Sequence, residues 1–351
     1  MSARMRQIEQ WLRDELKIKY DALLPASADA SFRRYFRIFT KSYPGHTSLI
    51  IMDAPPDKED SRPFVAINIV LDSIGVNVPE ILELNLDHGF MLLEDFGKRQ
   101  LLSELNSDNV DSHYSDALNA LALLQSQSPR ESDLIPDYSL QKLKDEMELF
   151  RDWLLARHYK VELDDYDAEI ITAAFDFLAQ EAYAQPKVLV HRDYHSRNLM
   201  VLEEDSPGII DFQDAVIGPV SYDVVSLLRD CYIEWPPEQV EQWVIDYFAR
   251  PEISQITASA NHETVIRWFD LMGVQRHLKA SGIFARLFYR DGKAGYLKDI
   301  PRTLNYIAEV ISKYEDLEAF NELFLQKITP CYIKDHEKID WSARIKESQG
   351  K

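Results

Sequence analysis

Asp193, Asn198 and Asp211 stand close together in the chain, with the residue types and spacing that phosphoryl transfer asks for. Asp193 ends the triplet His191-Arg192-Asp193, and Asn198 follows five residues later. Asp211 comes directly after a second apolar run, Gly208-Ile209-Ile210. Moving a phosphoryl group to a hydroxyl needs a carboxylate beside the attacking oxygen, to accept or orient its proton, and Asp193 supplies one. It also needs a cation clamped on the nucleotide phosphates. Magnesium takes hard oxygen ligands, and Asn198 and Asp211 offer an amide oxygen and a carboxylate. Singly, each of these residues could cap a turn or lie at the surface. The whole constellation, set between two apolar strands, is what argues for chemistry.

Such chemistry depends on rigid positioning, so the flanking elements matter. Val188-Leu189-Val190 predicts a short buried strand ahead of the loop. Asp223 precedes the apolar run Val224-Val225-Ser226-Leu227-Leu228, where it can cap a helix or brace the catalytic loop by hydrogen bonds. Upstream, Ala26 to Phe39 passes from small residues into an alternating, strand-like run. Small side chains let main-chain N–H groups approach phosphates, so Ser31, Phe32 and Arg33 are candidate nucleotide contacts. A plain hairpin with solvated arginines is the alternative. Ser48 to Met52 reads as a strand, but the position where a protein kinase carries its ATP-contacting lysine holds Met52 or Asp53. The helix expected near residues 62–74 has no Glu to pair with such a lysine. An arginine among Arg33, Arg34 and Arg37 is therefore expected to take over phosphate neutralisation. Two more strands are expected at residues 78–84 and from Gly89. The second resembles the hinge of a kinase, where Glu94 to Phe96 would bond a nucleotide base through the main chain, and it reads equally as a buried strand with an exposed acidic turn.

Beyond Gly97 the pattern turns helical, with helices expected over 106–127, 140–159, 166–184, 238–248 and along Val265–Arg290. That last stretch carries Arg267, Arg276, His277, Lys279, Arg286 and Arg290 in an otherwise acidic chain. It reads either as a site for an anionic group or as surface charge on a pair of helices, with His277 a structural histidine. An amphipathic helix is expected over residues 5–16, packed on the domain, and a charged, mobile tail from Asp335.

The chain has 351 residues, 46% of them hydrophobic, enough for two or three domain-sized units at about 150 residues each. A net charge of −20 argues against nucleic acid and anionic membrane as partners. No apolar run is long enough for a transmembrane helix, and the N-terminus lacks the apolar core of a signal peptide. Cys231 and Cys331 form neither a disulfide framework nor a zinc pattern, which suits a reducing cytoplasm.

The stretch from His191 to Asp223 resembles the aminoglycoside phosphotransferase and choline kinase superfamily, a branch of the protein-kinase-like fold. Two further stretches, ASADASFRRYFR with IIMDAPP and GVQRHLKASGIFARLFYRDGKAGYLKDIPR, are similar to the bacterial anomeric sugar kinases for N-acetylmuramate and N-acetylglucosamine. The resemblance implies a two-lobed α+β fold: an N-terminal lobe over 1–96 with an antiparallel sheet, and a mainly helical lobe over 97–351. It implies ATP- and Mg²⁺-dependent phosphorylation of the anomeric C1 hydroxyl to an α-1-phosphate, in peptidoglycan recycling. Matching positions make Asp193 the catalytic base and Asn198 and Asp211 the metal ligands, and the small-residue loop, through Ser31, would cover the phosphates. Phe32, Arg33, Glu94 and Phe96 complete the expected nucleotide contacts. Small-molecule sugar and ATP are the expected partners, and the chain is expected to act as a monomer. A choline- or aminoglycoside-type acceptor, or a pseudokinase that only binds nucleotide, are the alternative readings.

Overall fold

The structure, a computed structural model, describes residues 3–28, 32–129 and 134–337. The chain begins with helix α1 (Ala3–Gln10) and a π-helical turn over Trp11–Glu15. Strands β1 (Leu24–Ala28), β2 (Arg34–Phe39) and β3 (Ser48–Asp53) lead to helix α2 (Arg62–Ser73), then β4 (Ile81–Asn85) and β5 (Phe90–Glu94). These strands form one antiparallel sheet in the order β1-β2-β3-β5-β4. Side chains alternate across a strand. Phe36 and Ile38 of β2, Leu49 and Ile51 of β3, and Phe90 and Leu92 of β5 therefore share one face. That face buries Ile8, Trp11 and Leu12 of the N-terminal helix. The amphipathic pattern of residues 5–16 thus serves packing on the sheet. The fourth strand starts at Ile81 and not at Val78, because Pro79 has no N–H to give a ladder. The Pro79 carbonyl accepts a bond from Asn68 Nδ2 on α2 instead (2.9 Å).

Helices follow: α3 (Leu101–Glu104), α4 (Val110–Gln127), α5 (Leu140–Leu149) with its π-helical extension Phe150–Tyr159, and α6 (Asp165–Tyr183). Strand β6 (Lys187–Val190) leads into the loop that carries Asp193. A hairpin of β7 (Leu199–Met200) and β8 (Gly208–Ile209) comes next, and β9 (Val216–Pro219) pairs antiparallel with β6. The rest is helical: α7 (Tyr222–Leu228), α8 (Pro237–Phe248), α9 (Pro251–Ile256), α10 (His262–Asp291), α11 (Ile300–Ile311), α12 (Glu318–Leu323) and α13 (Thr329–Glu337). α10 is one continuous helix of 30 residues, where the charge pattern also allowed a pair. The expected tail lies, from residue 338, outside the described residues.

Contacts divide the chain into two compact units. One comprises Met1–Gln100 with Leu199–Asp214, the other Leu101–Asn198 with Ala215–Lys351. A boundary after residue 96 would assign everything downstream to one lobe. The β7–β8 hairpin instead belongs with the N-terminal sheet. Ile209 donates its N–H to the Asn77 carbonyl (2.8 Å), Asn77 Nδ2 donates to the Asp205 carbonyl (2.7 Å), and Val201 N–H to the Arg99 carbonyl (2.8 Å). Within each unit secondary structure follows the sequence pattern, and the mixture of an antiparallel sheet with helices is an α+β fold.

Candidate active site

In the second unit, the buried strand β6 delivers His191, Arg192 and Asp193. The loop that follows is tied down at both ends by carboxylates. Asp223, fully buried on the first turn of α7, accepts the N–H of His191 (2.6 Å) and of Arg192 (3.0 Å), one on each oxygen. Asp223 therefore braces the loop, and the N-cap position of α7 is taken by Ser221. Further along, Asp230 accepts Ser196 N–H (2.9 Å) and Ser196 Oγ (2.5 Å) on one oxygen, and Tyr232 N–H (2.9 Å) on the other. Tyr194 is buried and donates its hydroxyl to the Ala117 carbonyl. Arg192 has φ +76°, a left-handed backbone that a side chain adopts at a cost of about 1 kcal/mol or more. The two Asp223 bonds hold that turn.

Asp193 sits at the centre of this loop. Its carbonyl accepts His195 N–H (2.9 Å) and Asn198 Nδ2 (3.0 Å). The second bond commits the amide nitrogen of Asn198 to the loop and sets its oxygen, the donor a cation would use, on the other arm. Burial works against the charge on Asp193, but Lys279 first, then His195, Arg192 and Arg276, outweigh it and hold the carboxyl below the usual range. Asp193 is thus ionised at neutral pH and ready to accept a hydrogen bond from a hydroxyl.

The cations come chiefly from α10. With 100° per residue, Arg276, Lys279, Arg286 and Arg290 fall on one stripe of this helix and Arg267 on the opposite side. Arg276 and Lys279 are buried, so this part of the basic stretch is not surface charge. Lys279 bonds Glu146 (3.1 Å) and the Tyr222 hydroxyl (3.0 Å). Glu146 on α5 also holds Arg192 and accepts the Tyr138 hydroxyl. Burial resists the charge of Glu146, and Lys279 and Arg192 overcome it, so its carboxyl stays below the ordinary range. Lys279 faces burial too, and Glu146 leads the groups that keep it protonated. His277 is structural: burial and the neighbouring Arg276 push its pKa down to about 3, and it stacks on Tyr306 (4.9 Å). Arg267 pairs with Glu181 and Asp316 at the surface.

Asp211 belongs to the first unit, two residues beyond β8. It too has a left-handed backbone, φ +67°, and Gln213 Nε2 donates to its Oδ1 (2.8 Å). The next residue, Phe212, is buried against Phe64 of α2 with ring centroids 4.8 Å apart, which fixes the turn. Phe96 lies over Gly208, where even a methyl group would come within 2.5 Å of its ring. The segment expected to meet the nucleotide base is thus packed on β8, just ahead of Asp211.

The remaining sequence-predicted contacts are less uniform. Ser31 lies outside the described residues. Phe32 is 65% exposed and gives its N–H to Glu59 (3.2 Å). Glu94 ends β5, with its N–H on the Glu80 carbonyl (3.0 Å). The arginines expected to replace the kinase lysine already hold carboxylates: Arg33 with Glu59 (3.3 Å), Arg34 with Asp53, and Arg37 in a bidentate pair with Asp95 (2.6 and 2.7 Å). Met52 is buried and Asp53 binds Arg4 and Arg34, so neither does the work of that lysine. Sequence reasoning missed Glu146 and Asp230, which set the charge and shape of the loop that carries Asp193. Glu146 lies in an ordinary helical pattern and gave no signal. Asp230 stands just past α7 before Cys231, and only the acid-after-helix position hinted at a role.

The chain belongs to the phosphotransferase enzyme family, whose sequence profile matches residues 22–256. Its fold is that of the kinase-like members. A choline kinase from Streptococcus pneumoniae superposes with a TM-score of 0.61 at 11% identity, covering 88% of this chain and 100% of that one. An aminoglycoside phosphotransferase with bound ADP superposes with a TM-score of 0.57 at 17% identity, covering 88% and 99%. The chain is therefore a member of the phosphotransferase enzyme family with the kinase-like fold of the aminoglycoside phosphotransferase type. In sequence it is 43% identical to the N-acetylmuramate/N-acetylglucosamine kinase of Pseudomonas putida, over 92% of this chain and 96% of that one. It is 38% identical to the protein of that name from Neisseria meningitidis, over 93% and 96%.

Proposed function

We propose that this kinase uses ATP to phosphorylate the anomeric C1 hydroxyl of N-acetylmuramate and N-acetylglucosamine, giving the α-1-phosphate in peptidoglycan recycling in the cytoplasm. The observation that carries the reading is the identity of 38–43% to curated kinases of these sugars over nearly the whole chain, joined to an ionised, braced Asp193. No helix among the described residues is long and apolar enough to cross a membrane.

In this reading the sugar hydroxyl donates its hydrogen bond to Asp193. The hydroxyl oxygen attacks the γ-phosphorus of ATP, the bond from that phosphorus to the β–γ bridging oxygen breaks, and ADP leaves. The proton passes to Asp193. The α10 cations and Glu146 fix the charge of Asp193 and the orientation of Arg192 beside it. Among the described residues no group of three or more acidic, His or Cys side chains is arranged to hold a metal ion. Magnesium needs none, since one or two protein oxygens with phosphate and water suffice for it. The oxygens of Asn198 and Asp211 are the proposed ligands, and the ion would neutralise charge on the phosphates. The nucleotide contacts proposed from sequence are Ser31, Phe32, Arg33, Glu94 and Phe96.

Incubating the protein with ATP, Mg²⁺ and each sugar, and testing the product for its reducing end, checks the position of attack. Phosphate on C1 abolishes the reducing end. A phosphorylated sugar that still reduces would place the phosphate on another hydroxyl.

A further inference from the structure

Most cations around the catalytic loop are already spent. Arg192 and Lys279 share Glu146, Arg229 holds Asp270 (2.7 Å), and Arg302 approaches Glu234 and Asp299. Arg276 is only 5% exposed and turned to the Cys231 sulfur (3.7 Å). Arg286 lies ten residues further along α10, about 15 Å away at 1.5 Å per residue.

Arg197 is different. It directly precedes Asn198 in the loop that carries Asp193. Among the described residues it makes no hydrogen bond and no ion pair. Its guanidinium carbon lies 3.6 Å from the ring centroid of Tyr232 and 5.6 Å from that of Tyr296. The rings form a supported bed. Tyr232 gives its N–H to Asp230 and meets His195 edge-on (5.2 Å), while Phe284 packs on Tyr232 (6.1 Å) and stacks on Tyr296 (5.7 Å). Stacking occupies the flat face of a guanidinium and leaves its N–H edge, a rigid fork that matches a carboxylate bidentately.

The two sugars in the names of the relatives differ by a lactyl ether on N-acetylmuramate that ends in a carboxylate. A chain of net charge −20 repels that anion unless a local cation receives it. We propose that Arg197, laid on Tyr232 and Tyr296 beside the Asp193 loop, is the receptor for the carboxylate of the anionic sugar and sets the preference between the two. The assignment rests on the function proposed above.

The test is kcat/KM for both sugars in wild type, Arg197→Gln and Arg197→Lys, with KM for ATP alongside. The ratio of N-acetylmuramate to N-acetylglucosamine efficiency should fall by about 10- to 100-fold in Arg197→Gln, the size of a lost charged hydrogen-bond pair. Arg197→Lys should restore part of it, since charge returns without the fork. Should Arg197→Gln be inactive on both sugars, the ratio is read from Arg197→Lys. An unmoved ratio, or a rise in KM for ATP with both sugars alike, overturns the assignment. Wild type that phosphorylates neither sugar sinks the functional reading itself, and this assignment with it.

Discussion

At the scale of single residues, the proposed chemistry rests on one carboxylate, Asp193, held ionised by cations of which Lys279 and Arg192 are held in turn by Glu146. Asp193→Asn removes the proton acceptor while preserving shape. We expect kcat to fall about 10²- to 10⁴-fold, with thermal unfolding close to wild type. Turnover near wild type would remove Asp193 from the acceptor role. Its neighbour Asp223 behaves oppositely. Burial pushes its pKa up to about 7, against the two main-chain N–H bonds that favour the carboxylate. A raised folded pKa means that Asp223 contributes stability below its unfolded value, near 4, and loses that contribution as pH rises to about 7. The stability of wild type minus that of Asp223→Asn should therefore decline between pH 4 and 7 and level off above. Denaturant unfolding at a series of pH values reads this directly, and a difference that rises over that range would contradict it. That Asp193 and Asn198 share one short loop was legible in the sequence because their spacing is local, and the apolar run ahead of Asp211 was legible as a strand. Glu146 was not, because its partners Arg192 and Lys279 lie 46 and 133 residues away in sequence.

At the scale of elements, α10 does most to position the site. Its 3.6-residue period sorts a stretch that reads as undifferentiated basic density into a stripe carrying the buried Arg276 and Lys279 and a surface arginine, Arg267, on the far side. The period was visible in the sequence. The groups that meet the two buried cations, Glu146 for Lys279 and the Cys231 sulfur for Arg276, were not, which left surface charge open as a reading. The close packing of α10 on α5 depends on Gly282, where an added methyl would lie 2.4 Å from the Leu149 carbonyl oxygen and 2.5 Å from the Phe150 nitrogen. Helix propensity alone predicts that Gly282→Ala gains about 0.5–1 kcal/mol. Backbone atoms cannot swing aside, so overpacking should win, with a net loss of about 1–3 kcal/mol in urea unfolding. A stabilised variant would show that the helices separate at little cost. A glycine in the middle of a long helix was the available hint, but sequence does not say which backbone crosses there.

At the scale of the whole chain, the fold class followed from the change of period after Gly97, strand-like before and helical after. The division into units did not follow. The chain leaves the helical unit after Asn198 and re-enters it at Ala215, and the hairpin between joins the N-terminal sheet through hydrogen bonds to Asn77 and Arg99. Those pairings span more than a hundred residues and carry no local signature. The most direct measurement is ATP consumption with N-acetylmuramate, N-acetylglucosamine, glucose, choline and kanamycin, each with and without Mg²⁺. The account predicts Mg²⁺-dependent turnover with the two N-acetyl sugars and a product without a reducing end. Turnover confined to choline or kanamycin would contradict the assigned substrate, and no Mg²⁺-dependent turnover with any acceptor would contradict the account of the site.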